Sequence, residues 1–209
     1  MGRASDPLKD LVSIQQINEW INGSNVFENG TVVNHHRIHP DYIVCIHFNL
    51  NSVLMSALAE QPVPNASFWN VQLLYSAMAE LKWPSPPYHK PGGAIYMKDD
   101  HGKPIGQIYY PEGTDWGSSR RMGFAELDIQ IEKLTPFGKH FNASEWSVLH
   151  IEDQLKLQER FTDGRTYGDA HEDTYPLREE WVACLSGYYH LTNWVKHNIK
   201  YNITNDKLD

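Results

Sequence analysis

Apolar residues recur every three or four positions through most of this chain, and that spacing predicts helices. Leu8, Leu11, Ile14, Ile17 and Trp20 mark a helix over Asp6 to Ile21. A second helix begins at Pro40, a residue suited to a first helical turn, and runs through IVCIHFNLNSVLMSALAE to about Glu60. It is apolar on nearly every side and is expected to be deeply buried. Gln61-Pro62-Val63-Pro64 ends it. A third helix follows a cap at Ser67 and buries Leu73, Leu74, Ala77, Met78 and Leu81. A fourth covers Asp115 to Leu134 and stops at Thr135-Pro136, a fifth covers Ser144 to Phe161, and a sixth runs from about Thr174 through LREEWVACLSGYYHLTNWVKHNI.

One stretch breaks this rhythm. AIYM (Ala94 to Met97) and IGQIYY (Ile105 to Tyr110) flank the polar turn DDHGK, which reads as a β-hairpin inserted between helices. The expected architecture is mainly α: one helical domain over residues 1–209, built from antiparallel helical hairpins with an inserted β-hairpin.

Composition narrows the partners. The 209 residues carry 18 basic and 26 acidic side chains, a net charge of −8, which argues against nucleic-acid binding. No run of 18 apolar residues occurs, so no membrane span is expected. The first residues lack the apolar core of a secretory signal, and Asp6 stands where a myristoylation pattern wants Ser or Thr. Asn-x-Ser/Thr sequons nonetheless begin at Asn22, Asn29, Asn65, Asn142 and Asn202. Random placement of the same residues gives about one or two, so five point to a secreted chain, and the two signals would be reconciled if the chain lacked the front part of a longer secreted protein. The two cysteines, Cys45 and Cys184, fall in helix interiors and read as buried free thiols.

Chemistry concentrates in two segments. NHHRIHPDY, Asn34 to Tyr42, packs three imidazoles, a guanidinium, a carboxamide, a carboxylate and a phenol into nine residues. Pro40 forces His39 toward extended backbone, so His35 and His39 cannot share a helix face as a zinc pair would. A divalent metal at His35, His36 and His39 is therefore a minor alternative, and simple capping of the second helix is another. YYPEGTDWG, Tyr109 to Gly117, leads into the fourth helix and offers Trp116 beside Glu112 and Asp115. It reads either as a sugar-stacking platform or as an aromatic tucked under the hairpin. A third segment, DGRTYG with the following EDTYPLREEWVA, reads mostly as a turn and a helix start, with Arg165 or Tyr167 as marginal ligand contacts.

NHHRIHPDY, IYYPEGTDWG and DGRTYG…EDTYPLREEWVA together resemble the C-terminal part of large secreted α/α-toroid proteins, similar in layout to heparinase-like and hyaluronate-lyase-like polysaccharide lyases. The resemblance spans about Phe27 to His197. It implies part of an α/α toroid, an acidic polysaccharide as partner, and completion by a missing N-terminal half or by self-association. It further implies β-elimination next to a uronate carboxylate: Asn34 and His36 as carboxylate partners, Arg37 as charge stabiliser, Tyr42 as proton carrier, with no cofactor. His35, His39, Tyr110, Glu112, Asp115 and Trp116 would line the substrate. A glycoside hydrolase on the same scaffold, using carboxylates from Asp41, Glu112, Asp115 or Glu126, and a non-catalytic carbohydrate-binding fragment are the alternatives.

Overall fold

Why the chain folds around one helix that the hydrophobic pattern does not single out is the main lesson of its architecture. The computed structural model describes residues 24–166, 168 and 178–199, and the backbone of 11–12 and 15–16. Within the expected first helix, the described pairs Leu11–Val12 (β1) and Gln15–Gln16 (β2) form an antiparallel ladder with Val12 opposite Gln15. A helix there is thus overturned where it can be seen. The rest of Asp6 to Ile21 lies outside the described residues, as does the expected start of the sixth helix at Thr174.

Val33–Asn34 (β3) and Arg37–Ile38 (β4) make a second ladder, closed by His35 and His36 alone. The long apolar segment after it is two helices, Pro40–Val44 (α1) and His47–Leu58 (α2). Between them the hydrogen bonds shorten to three-residue steps, Ile46 N to Ile43 O, Phe48 N to Cys45 O and Asn49 N to Ile46 O. That tightening re-aims α2 without glycine or proline, which is why the pattern does not reveal it. The expectation of all-round burial also fails, since Phe48, Met55 and Leu58 are 50, 44 and 40% exposed.

Next come a 3₁₀ turn at Asn65–Phe68 and the helix Val71–Ala79 (α3). Ser67 does not cap it. Its Oγ lies 2.6 Å from that of Ser52, and Asn70, in left-handed backbone, begins the helix instead. The inserted hairpin is present as Tyr96–Lys98 (β5) and Pro104–Ile108 (β6), antiparallel, with Tyr96 opposite Ile108.

A 3₁₀ turn at Ser118–Arg120 then opens the helix Arg121–Leu134 (α4), so Asp115 is not its cap. The last two helices are Ala143–Gln158 (α5) and Glu179–Asn198 (α6). Met122 through Ile131 are buried without a break, so α4 is enclosed on every side, packed against α2, α5 and α6. It runs antiparallel to α5, with Asp128 bonded to His150 and Arg121 in the field of Asp153. Ile43, Leu50, Leu54, Leu74, Tyr75, Met78, Tyr96, Phe124 and Trp146 join into the main core around it. The described fold is mainly helical with small antiparallel ladders. Both cysteines are free thiols as expected, but Cys45 is only half-buried, at the junction of α1 and α2, and Cys184 is exposed on α6, which corrects their reading as buried in helix interiors. Among the described residues no helix is long and apolar enough to cross a membrane.

Candidate functional site

A two-residue β-hairpin whose central residues both have positive φ normally carries Asn-Gly or a similar pair. Here the pair is His35 and His36, at φ 50° and 61°. Both side chains are exposed, as is Arg37, while Asn34 is half-buried and its Oδ1 accepts from His35 N at 3.0 Å. The turn therefore projects two imidazoles and a guanidinium into solvent, at a backbone cost that glycine would avoid.

The base of this hairpin is fastened to the second segment. Ile38 N donates to Glu112 Oε2 at 2.7 Å, and His39 Nε2 donates to Thr114 O at 2.8 Å. Gly113, at φ +73°, lets its loop pass so near that a Cβ there would lie 3.3 Å from His39 Cδ2 and 3.7 Å from the Arg37 guanidinium. The His39 ring stacks on Trp116 with centroids 4.0 Å apart and planes 18° apart. Tyr42 meets the same indole edge-on at 5.1 Å, and the Arg120 guanidinium sits over it at 5.9 Å. Two segments more than seventy residues apart in the chain thus form one continuous bank.

His39 itself has no exposed side-chain surface. Its Nδ1 accepts from Asp41 N at 3.3 Å, capping α1, with φ −138° as the following proline requires. Burial holds its pKa below the ordinary histidine value; the Thr114 carbonyl and Asp115 oppose this, while Arg120 and Arg37 add to it. Both ring nitrogens are thereby engaged, which leaves none for a metal. Among the described residues no three His, Cys, Asp or Glu side chains gather as a metal would need.

The carboxylates of the second segment serve the protein's own backbone and side chains. Asp115 pairs with Arg121 and accepts from Gly117 N at 2.9 Å and from Tyr110 OH at 3.1 Å. Burial, together with Asp41, raises the Tyr110 phenol well above its usual range, so it remains a proton donor. Trp116 is half-buried with one face covered by His39, so it is not an open stacking platform. Arg165 lies away from this bank in its own turn, over the Phe161 ring and 3.4 Å from Asp163, and Tyr167 lies outside the described residues.

A second polar cluster, absent from the sequence reading, sits inside the helical core. Asp128 of α4 accepts Tyr75 OH at 2.8 Å and Tyr96 OH at 2.7 Å on one oxygen, with His150 Nδ1 at 2.6 Å from the other. From elsewhere on the same helix Glu126 faces His47 at 3.3 Å, and Gln130 bonds Asn51 and Glu126 at 2.6 and 3.0 Å. Burial first, and then the Asp128 charge, push both phenols well above their normal range, keeping them protonated. No local motif announces this cluster, because its members come from five separate elements. The only hint was three polar residues alternating through FAELDIQI. Comparison with family models, with curated proteins and with solved structures finds no match for this chain.

Proposed function

We propose that this chain handles an acidic, uronate-containing polysaccharide and cleaves it by β-elimination, as part of an α/α toroid in a secreted protein. The observation that carries the reading is the exposed His35-His36-Arg37 tip, turned through left-handed backbone at its two histidines and held at its base against the Glu112–Trp116 segment. β-Elimination at a uronate requires that the adjacent carboxylate be neutralised as negative charge develops on the sugar. His36 and Arg37, with the Asn34 carboxamide at their base, supply the donors. A proton must also leave the sugar C5, and Tyr42, at the edge of this bank, is the proton carrier assigned to that step.

One observation favours elimination over hydrolysis on the same scaffold. A glycosidase needs two carboxyl groups facing one sugar. Glu112 is engaged by Ile38 N–H, Asp115 by Arg121, and Asp41 and Glu126 are buried. A purely binding role would keep the tip and release no product. The test is ultraviolet absorbance during incubation with glucuronan, hyaluronan and alginate. Elimination creates a conjugated double bond and the absorbance rises. New reducing ends without absorbance would establish the hydrolase, and binding with neither would establish the non-catalytic fragment.

A further inference from the structure

We propose that His39 is a proton-sensitive latch, closed while its imidazole is neutral, that holds the 109–117 loop against the β3–β4 hairpin and so acts as a positioning residue for the polymer site, a role that rests on the reading above. The carbonyl of Thr114 can only accept, so Nε2 at 2.8 Å must carry the proton, and Nδ1 must be bare to accept from Asp41 N at 3.3 Å. Both bonds coexist in one neutral tautomer only. That tautomer ties three things at once: the start of α1, the Thr114–Trp116 segment, and the indole stacked at 4.0 Å.

A second proton, on Nδ1, turns the acceptor into a donor aimed at the Asp41 N–H. The α1 cap is lost, and a cation is left with no exposed surface beside an indole face and Gly113. The groups around the ring divide. The Thr114 carbonyl, Asp115 and Asp41 Oδ2, 3.6 Å from Nδ1, favour the cation, while Arg120 and Arg37 disfavour it, and the rings of Tyr42 and Tyr110 lie against it. Burial outweighs these attractions, in keeping with the lowered pKa. The ring is therefore charged only by leaving its buried seat for solvent, which breaks the Thr114 bond and frees the loop.

The test needs no polymer. Subtracting the signal of Trp116→Phe from the full protein isolates Trp116 among the seven tryptophans, and acrylamide quenching then reports its access from about pH 8 to about pH 4. The latch predicts low quenching that rises several-fold below the ordinary histidine range. His39→Gln can reach Thr114 O with an amide N–H and cannot titrate, so its quenching stays low at every pH. His39→Asn keeps the acceptor for Asp41 N but cannot reach Thr114, so its quenching is high throughout. A flat profile in the full protein, a step that survives in His39→Gln, or an unchanged His39→Asn overturns the proposal. If His39→Asn does not fold, the contrast between the full protein and His39→Gln still decides. Failure of the lyase reading would show instead as absent absorbance product and would leave the quenching result untouched.

Discussion

Replacing Asp128 with Asn tests the buried cluster with almost no change in shape. The carboxylate accepts three hydrogen bonds at 2.6 to 2.8 Å, from Tyr75, Tyr96 and His150, at a position with no solvent exposure. Hydrogen bonds to a charged acceptor contribute about 1.5–3 kcal/mol each. Asn keeps one carbonyl oxygen for both phenols, so those bonds weaken rather than vanish. Its amide N–H groups, however, now face His150 Nδ1, and the ring must present a lone pair there. The net loss is about 2–4 kcal/mol. At roughly 2–4 °C per kcal/mol for a chain of this size, the melting temperature falls by about 4–16 °C. Asp128→Ala leaves three buried donors unpaired and costs more, about 4–6 kcal/mol. Thermal and urea unfolding followed by circular dichroism measure both, and a cycle with Tyr96→Phe isolates the coupling. An Asp128→Asn protein that melts within about 1 °C of the parent would refute the idea that this carboxylate organises the core.

Gly30 has φ +82°, and a Cβ there would lie 2.3 Å from Leu73 O, so Gly30→Ala should cost about 3 kcal/mol or more in urea unfolding, and a loss under about 1 kcal/mol would contradict the packing. Because the His39 pKa is lowered on folding, the unfolded chain binds more protons between that lowered value and the ordinary value near 6.5. His39's contribution is therefore fully present above about pH 6.5 and is lost as the pH falls toward the folded-state value. Urea midpoints should show this slope, and His39→Gln should flatten it. Met55, 44% exposed on α2, should tolerate Gln within about 0.5 kcal/mol, whereas a cost above about 1.5 kcal/mol would mean that this stripe is covered in solution.

Local signals were legible where local physics decides. The DDHGK turn and its flanking runs fixed the β5–β6 hairpin, and Thr135-Pro136 fixed the end of α4. That NHHRIHPDY and YYPEGTDWG line one site was implied by the resemblance, and the two segments do meet, through Glu112 and Trp116. The hairpin inside NHHRIHPDY was hidden, because His-His lacks the Asn-Gly signature of a two-residue turn. The break between α1 and α2 was hidden because no glycine or proline marks the tightened turn. The caps differ too: Asn70 and Asn142 enter α3 and α5 through left-handed backbone rather than by side-chain bonds. Deepest from view was the enclosure of α4, whose Asp128 finds partners 53, 32 and 22 residues away. The hydrogen bonds of Asp128, and those joining Gln130 to Asn51 and Glu126, offset the cost of burying these three polar side chains inside the helical core.

The central claim, that the His35-His36 tip exists to meet a uronate polymer, is tested most directly by exchanging it for a better turn. Asn-Gly at these two positions suits the positive φ values and should leave stability unchanged or raise it by up to about 1 kcal/mol. The account predicts that this double variant, His35→Asn with His36→Gly, melts no lower than the parent. It should also lose the ultraviolet-absorbing product on uronate polymers by about a hundredfold or more. A variant that is equally folded and equally active would show that the two histidines only close a turn, and the proposed site would fall with them.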